Sequence, residues 1–333
     1  PGASLDRTQH VMDRIDSILK QEPAIERRGA VTGLNFIANA NSSNYAIGFI
    51  RLKPFEERGP VKDINGMIGV LNQKLSVINE ASVFLFIFPT VQGFGNTSGF
   101  EFIVQDRTGG SLEKLGHVAY GFIGELMKRP EIAYAFTTFN TANPQYLIEI
   151  DEMRAKQMGV NVSDLLQTLQ VYYGSSFASD FNRFGKYYRV IVQADVNYRS
   201  DPASLNTMYT KNNLGEMVPV NSLVKLQRVY GPETVSRNNL FNAVTINGLP
   251  KPGYTTGDAI KAIQEVAEQY LPRGYAYDWS GMTREEISSG SQTTLIFILS
   301  VIFVYFLLAA QYESYILPLS VILSVPTGIF GVF

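Results

Sequence analysis

Residues Leu295 to Ala310 read LIFILSVIFVYFLLAA, sixteen residues in which only Ser300 and Tyr305 carry polar side chains. With Thr293 and Thr294 in front, the apolar stretch reaches eighteen residues, which is about the minimum for a helix that crosses a bilayer. The stretch therefore predicts a transmembrane helix and sets the C-terminal part of the chain apart from the rest.

A second apolar run, Ile316 to Phe333, follows after the short link Gln311 to Tyr315. It contains two prolines, which a spanning helix tolerates where neighbouring helices satisfy the freed backbone groups. We predict transmembrane helices over residues 291–311 and 315–333. Two adjacent runs without Lys or Arg favour this interpretation over the alternative, a pair of helices buried in a large soluble core. Because the second run reaches the last residue, we expect the sequence to be a piece of a longer protein.

Composition excludes several classes of function. Only 17% of the 333 residues are charged and the net charge is −2, whereas a nucleic-acid-binding surface needs an excess of Lys and Arg. The chain has no cysteine, so it has no disulfide framework, thiolate nucleophile or cysteine-based metal site. The nucleophile-elbow, zinc-protease and phosphate-loop motifs are absent as well. We therefore predict no catalytic residue, no metal site and no cofactor.

Ahead of residue 290, helical and strand patterns alternate. Apolar residues at helical spacing predict helices at 11–19, 64–78, 112–128 and 260–270. Each is followed by a β-rich segment: Ala30 to Phe36, Ser82 to Phe88, Ile132 to Thr138 and Tyr275 to Trp279. With one more strand in front, the first part would be a split βαβ, or ferredoxin-like, unit.

A second unit of the same kind begins with the strand Phe100 to Gln105 and is interrupted, resuming at Val244. The insert has strands of its own. The predicted fold class is α+β, with two ferredoxin-like units, one of them carrying an inserted domain, followed by transmembrane α-helices.

Six long motifs then occur along nearly the whole chain. They are FIRLKPFEERG (Phe49 to Gly59), NPQYLIEIDEMRAKQMGV (Asn143 to Val160), SDFNRFGKYYRVIVQAD (Ser179 to Asp195), GEMVPV (Gly215 to Val220), YDWSGMTREE (Tyr277 to Glu286) and LAAQYESYILPLSVILSVP (Leu308 to Pro326). In their residues and in their order they resemble the motifs of the resistance-nodulation-division (RND) multidrug efflux transporters of the hydrophobe/amphiphile exporter class. The resemblance is to the second periplasmic loop and the transmembrane helices after it.

The resemblance implies a domain organisation. Residues 1–109 resemble porter subdomain PC1 without its first strand, and residues 110–136 with 231–285 resemble porter subdomain PC2. The insert, 137–230, resembles the docking subdomain DC. Residues 1 to about 288 would lie in the periplasm and the helices in the bacterial inner membrane.

The resemblance also implies an activity and partners. Such a protein is a transporter and no enzyme: a proton antiporter that extrudes hydrophobic and amphiphilic small molecules. It would work as a homotrimer in a lipid bilayer, with a periplasmic membrane-fusion adaptor and an outer-membrane channel. Its proton-relay residues lie on helices outside this chain, so none is expected here.

The stretch from Thr32 to Asn44 is small, polar and flexible in character, and aligns with the switch loop that separates two drug pockets in these transporters. Leu34 and Phe36 stand where that loop places pocket side chains. The other positions assigned to the switch loop are Thr32, Gly33, Asn35, Asn39 and Asn41. The alternative is an ordinary loop with one phenylalanine in the core.

Five further positions match pocket residues of the family. Phe49 matches a distal-pocket phenylalanine. Phe100 and Phe102, on one face of an alternating strand, match a proximal-pocket pair. Phe136 and Thr138 fall at cleft positions where some relatives carry Arg and Asn, which puts the binding of anionic drugs in doubt. The alternative for the phenylalanines is an ordinary position in a sheet core.

Two other functions remain open. The chain could act as a periplasmic docking and assembly module, since the insert resembles a docking subdomain. It could also belong to a metal-exporting RND relative. The eight methionines are scattered along the sequence, without the clustering expected of a soft-metal exporter.

Overall fold

The computed structural model describes residues 2–89, 91, 93–95 and 97–324, apart from the side chains of 291–294. Two compact units form it. The first joins Pro1–Thr141 to Pro232–Phe333, and the second is Ala142–Gly231. Both combine helices with antiparallel sheet, in keeping with the predicted mixture of the two.

The first unit opens with two helices that pack on a β-hairpin. The elements are α1 (Leu5–Leu19), β1 (Ile25–Asn35), β2 (Ala40–Leu52) and α2 (Ile64–Leu75). The side chains of Ser4 and Asp63 cap the two helices by accepting backbone N–H groups, which satisfies donors that a helix start leaves free. The apolar faces of α1 and α2 form one buried cluster, as the helical spacing of the sequence predicts.

The hairpin turn is much shorter than the loop expected from the sequence. Thr32, Gly33 and Asn35 lie on β1 and Asn41 lies on β2, so Asn39 alone of the assigned switch-loop residues lies in the turn. The reason is that the strands stay paired up to Asn35 and Ala40. Gly33, at φ +85°, lies at a shift in the strand register, a bulge that glycine permits.

The strand expected at Ser82 to Phe88 is not formed. These seven residues are all described, and none of them belongs to a sheet. The segment is fixed by other contacts: the Tyr134 hydroxyl donates to Leu85 O, at 2.7 Å, and Ser98 N donates to Ile87 O, at 2.8 Å. The segment is thus held by one side-chain and one backbone hydrogen bond, and not by the repeated backbone hydrogen bonds that define a strand.

The first unit continues with β3 (Phe100–Asp106), α3 (Leu112–Leu126) and β4 (Ile132–Phe136). The chain then enters the second unit. Its elements are β5 (Asn143–Ile150), α4 (Glu152–Gln157), α5 (Val162–Leu169), β6 (Ser176–Arg183), β7 (Lys186–Val192), β8 (Tyr209–Lys211), β9 (Met217–Pro219) and β10 (Val224–Gly231). The pairs β5–β10, β6–β7 and β8–β9 are antiparallel, and a buried cluster that includes Leu165, Met208 and Leu223 forms the core of the unit.

The chain then returns to the first unit and completes its main sheet. The elements are β11 (Ser236–Asn238), β12 (Phe241–Pro250), α6 (Thr256–Tyr270) and β13 (Tyr275–Trp279). The strand order is β11-β12-β3-β13, and β4 pairs with the end of β12; every pair is antiparallel. Helices α3 and α6 contribute Leu115, Phe122 and Ile263 to the core of this sheet.

A long helix, α7 (Gly281–Tyr312), follows β13, and the short α8 (Leu317–Ile322) comes after it. The 32 residues of α7 make a rod of about 48 Å. Its segment Leu295–Tyr312 has a mean hydropathy of 2.3 and is long and apolar enough to cross a bilayer, as the sequence predicts. The predicted second span reaches into residues 325–333, which lie outside the described residues.

The first turn of α7 is attached to the sheet. Ser280 N donates to Glu101 O at 3.2 Å, and Glu101 N donates to the Thr283 hydroxyl at 3.0 Å. Thr283 is buried. The start of the long helix is therefore hydrogen-bonded to the backbone of β3 at a single residue.

Candidate functional site

Three phenylalanine rings meet beside the tip of the β1–β2 hairpin. The Phe36 ring in the turn lies 6.1 Å from the Phe49 ring on β2 and 5.8 Å from the Phe88 ring, edge to face in both cases. The Phe49 and Phe88 rings are stacked at 6.2 Å. We refer to Phe36, Phe49 and Phe88 as the aromatic surface.

The aromatic surface remains open to solvent. Phe49 is 40% exposed and Phe88 is 48% exposed, while Phe36 is half-buried. On β1, Gly29 faces Phe49 across the ladder, so the directly opposite position places no side chain against the ring. Contiguous exposed aromatic rings are unusual on a soluble surface and mark sites for ligands or partners. The structure thus brings Phe36 and Phe49, both singled out in the sequence, into one patch.

Phe88 belongs to a group of phenylalanines that the sequence analysis did not identify as possible ligand contacts. Phe84, Phe86 and Phe88 occupy alternate positions just before Pro89, and the sequence pattern was interpreted as an ordinary strand. In the structure, the Phe84 ring is exposed and stacks on Phe136 at 4.6 Å. The signal that could have found them is the repetition of phenylalanine at every second residue.

Tyr134 holds this phenylalanine segment against the main sheet. Its hydroxyl donates to Leu85 O at 2.7 Å, and burial raises the pKa of Tyr134 to about 12, from an ordinary value of 10.0. The phenol is therefore a neutral donor at any physiological pH. The bond ties the middle of the segment to β4.

We expect Tyr134→Phe to lower the free energy of unfolding by about 1 kcal/mol, the usual net value of one hydrogen bond. The raised pKa means that Tyr134 stabilises the fold below its unfolded-state pKa of 10.0, and that this contribution is lost as pH rises through about 12. Thermal unfolding of the full-length protein at pH 8 and pH 11 measures both effects. A Tyr134→Phe protein with the same pH sensitivity as the unsubstituted protein would contradict this assignment.

Phe100 and Phe102 lie elsewhere. They are 1% and 0% exposed, and the Phe102 ring stacks on Phe122 at 5.0 Å and on Tyr277 at 5.2 Å. Both belong to the core between the main sheet and helices α3 and α6. This is the placement of packing residues, and a ligand could reach them only after the core had opened. We do not include the pair among the proposed ligand contacts.

Three predicted positions remain, Phe136, Leu34 and Thr138. Phe136 is buried beneath Phe84. Leu34 is half-buried on β1, opposite Asn41. Thr138 accepts a hydrogen bond from the Tyr45 hydroxyl through its backbone O, at 2.9 Å, and lines a polar cavity below the hairpin turn. Turn residues Ile37 and Ala38 lie over the same cavity.

The chemistry of this site is that of binding. Flat aromatic rings offer a large apolar contact area at a low cost in side-chain entropy, and a neighbouring polar cavity offers hydrogen bonds that orient a ligand. Within the described ranges, no three His, Asp or Glu side chains are grouped so that they could hold a metal ion.

The profile of the AcrB/AcrD/AcrF family matches residues 1–333, the whole of the sequence. The chain belongs to this family. The match agrees with the resemblance to RND efflux transporters that the six sequence motifs carry. Relatives in this family are named as membrane transporters.

Curated relatives in the family are named as efflux pumps. A multidrug/solvent efflux pump membrane transporter (MepB) of Pseudomonas putida is 36% identical over 332 residues, which is 99% of this chain and 31% of the relative. Multidrug export protein AcrF of Escherichia coli is 33% identical over 335 residues, covering 99% and 32%. The toluene efflux pump membrane transporter TtgE of Pseudomonas putida is 32% identical over 333 residues, covering 99% and 32%. The chain thus spans about a third of the length of these relatives.

Proposed function

We propose that this chain is the drug-handling part of a proton-driven RND exporter that binds hydrophobic and amphiphilic compounds and extrudes them. The observation that carries the proposal is the aromatic surface of Phe36, Phe49 and Phe88, open to solvent in a chain of the AcrB/AcrD/AcrF family. The names of its relatives include multidrug, solvent and toluene efflux. An exposed patch of rings is suited to this range of apolar ligands.

The proposed ligand contacts start from this surface. Phe36, Phe49 and Phe88 would hold the apolar part of the ligand, and Phe84, stacked over Phe136, would extend the contact along the same segment. Leu34 and Thr138 lie at its margins. The turn Phe36–Asn39, rather than the whole of residues 32–44, would act as the switch element, because the flanking residues are held in the hairpin ladder.

We also propose the domain organisation expected of the family. PC2 would be ferredoxin-like and would begin at β3 rather than at residue 110, since β13-β3-β12-β4 lie side by side with α3 after β3 and α6 after β12, the order of a split βαβ unit. The compact unit Ala142–Gly231 supports an inserted docking subdomain, DC. PC1 would contain α1, the β1–β2 hairpin and α2.

The proposed location is the bacterial inner membrane, with α7 crossing the bilayer from about Leu295 and the residues before it in the periplasm. The assembly would be a homotrimer that joins a periplasmic membrane-fusion adaptor and an outer-membrane channel. Family membership and the apolar segment of α7 support this arrangement.

The test is dye efflux from cells. A strain lacking its own exporters receives the full-length protein together with an adaptor and an outer-membrane channel, and the accumulation of Nile red, a neutral apolar dye, is followed by fluorescence. We expect lower steady-state accumulation than in cells without the protein. Adding a protonophore should abolish the difference.

Two outcomes would contradict the proposal. Dye accumulation that stays unchanged, with normal assembly of the tripartite complex, would favour a docking and assembly role. Increased tolerance of zinc or copper without any change in dye accumulation would favour a metal exporter. A soluble enzyme would change neither.

A further inference from the structure

The turn between β11 and β12 holds a leucine in a strained backbone conformation. The two strands pair as far as Asn238 and Phe241, which leaves a turn of two residues, Asn239 and Leu240. Both have positive φ, 51° and 71° respectively, as the tight turns that suit a twisted hairpin require. Asparagine adopts this region readily, but the second position favours glycine, because the Cβ of any other residue crowds the following carbonyl oxygen.

The side chain of Leu240 gives the fold nothing in return for that strain. It is 93% exposed, the most exposed large apolar side chain among the described residues. A singly exposed leucine is ordinary on a protein surface, but this leucine combines exposure with an unfavourable φ. Residues held in such backbone regions cluster where a protein makes a functional contact. The combination points to a contact that lies outside this chain.

An arginine beside the turn is held in a fixed orientation. The Nε and Nη2 atoms of Arg107 donate to Gln105 Oε1, at 3.2 and 3.0 Å, and its guanidinium lies 5.3 Å from the centroid of the Phe241 ring. Gln105 is itself buried, and its Nε2 donates to Asn238 Oδ1 at the base of the turn. A guanidinium fixed in this way loses little side-chain entropy when it binds a partner.

The surroundings of Leu240 are positively charged. Arg237 on β11 is a second oriented arginine, since its Nε donates to Asn242 Oδ1 at 3.2 Å. Within the part of the chain that the structure describes, neither Arg107 nor Arg237 forms an ion pair. The carboxylate of Asp106 is 2% exposed and accepts hydrogen bonds from Thr108. The complement of this surface is therefore an apolar pocket with carboxylates at its rim.

The position of the turn favours a protein over a lipid as its partner. Asn242, Asp106 and Tyr275 are paired across the main sheet at the end that carries the turn. The chain enters α7 after Trp279, which pairs with Phe102 towards the other end of β3. The turn thus lies at the end of the main sheet away from the start of the membrane helix. Arginine and aromatic side chains are also enriched in protein interfaces.

We propose that the β11–β12 turn is an anchor for the periplasmic adaptor, in which Leu240 enters an apolar pocket of the adaptor and Arg107 and Arg237 pair with carboxylates at its rim. The proposal rests on the assembly proposed above and concerns a surface separate from the aromatic surface. A second copy of the chain is a poorer fit, because two such turns placed against each other would bring like charges together.

The test is the affinity of the purified full-length protein for the immobilised adaptor that the efflux test uses. We expect Leu240→Asn to weaken adaptor binding about tenfold, as the loss of one buried leucine implies. Asparagine suits the left-handed backbone, so the Tm of this variant should stay the same or rise. Leu240→Met keeps an apolar side chain and should bind the adaptor within about threefold of the unsubstituted protein.

Salt dependence tests the two arginines. The double variant Arg107→Gln/Arg237→Gln should weaken adaptor binding about tenfold at low ionic strength and much less at about 1 M salt, where exposed charges are screened within about 3 Å. Val77→Asn is the matched control for the leucine. Val77 is 58% exposed and belongs to the first unit, but it lies after α2 and not at the turn. Its affinity for the adaptor should be unchanged.

The outcomes separate this inference from the proposals beneath it. Unchanged adaptor binding by Leu240→Asn, or an equal loss in Val77→Asn, overturns the anchor. A smaller assembly of Leu240→Asn in light scattering, with normal adaptor affinity, would assign the turn to a contact between copies and would overturn it as well. If the unsubstituted protein does not bind the adaptor, the proposed assembly is wrong too. Nile red binding by Leu240→Asn reports separately on the aromatic surface and should be unchanged.

Discussion

Replacing Phe49 with alanine in the full-length protein should weaken the binding of a neutral apolar dye about tenfold or more. Burial of one phenylalanine side chain against a ligand is worth about 1.5–3 kcal/mol, and about 1.4 kcal/mol is a factor of ten in affinity. Phe49 is suited to this contact because its ring is 40% exposed and lies between Phe36 and Phe88. Fluorescence titration with Nile red measures the change.

Phe55→Ala is the matched control for this substitution. Phe55 is 57% exposed and also belongs to the first unit, but its ring is in contact with Arg58 and Lys62 rather than with the aromatic surface. We expect its dye affinity to match that of the unsubstituted protein. Equal losses in the two variants would show that apolar surface in general, and not this site, binds the dye.

The second large effect is on folding. Phe102→Ala should lower the stability of the protein by about 3–5 kcal/mol, the usual cost of removing a buried phenyl ring, because the ring is fully buried and contacts Phe122, Tyr277 and Trp279. The measurement is the midpoint of thermal unfolding, followed by Trp279 fluorescence. Protein that remains folded should bind Nile red with near-normal affinity.

A milder substitution at the same position distinguishes packing from ligand contact. Phe102→Leu retains much of the apolar volume, so we expect a smaller loss of stability and no change in dye affinity. If instead Phe102→Leu folds normally and loses dye binding, Phe102 contacts the ligand in another state of the transporter. The prediction from the sequence that Phe100 and Phe102 are pocket residues would then be confirmed.

The contrast between Phe49 and Phe102 shows what a sequence can reveal about this site. Alternation along β3 correctly indicates that Phe100 and Phe102 share one face. It does not indicate which face is the core, because that is decided by the packing of α3 and of α6, and α6 lies far along the chain. Local spacing therefore shows which residues share a face of the strand, but not which face is buried.

Helices were predicted well for the same reason. Spacing of apolar residues such as Ile15 and Leu19, or Leu71 and Leu75, is a local property, and these residues are buried where α1 and α2 face the hairpin. The segment Ser82 to Phe88 has an equally local strand pattern. It lacks a ladder in the structure because strand formation depends on a paired neighbour.

The polar cavity could not be predicted from the sequence. It collects residues from the hairpin turn, from β3, from the end of β4 and from β12, segments that are up to about two hundred residues apart in the chain. No motif connects Ile37 with Glu101 or Asn247. What brings them together is the antiparallel pairing of β3 with β12 and the position of the turn above it.

The unbroken course of α7 has a mechanical consequence. If this rod of about 48 Å tilts by about 5° around its C-terminal end, its N-terminal end moves by roughly 4 Å. This distance is close to the spacing between two strands. The N-terminal end of α7 is hydrogen-bonded to both backbone groups of Glu101, to its C=O through Ser280 N and to its N–H through the Thr283 hydroxyl. Lateral forces acting on the helix inside the lipid would therefore be transmitted to the backbone of β3 at Glu101, which is one of the residues that line the polar cavity.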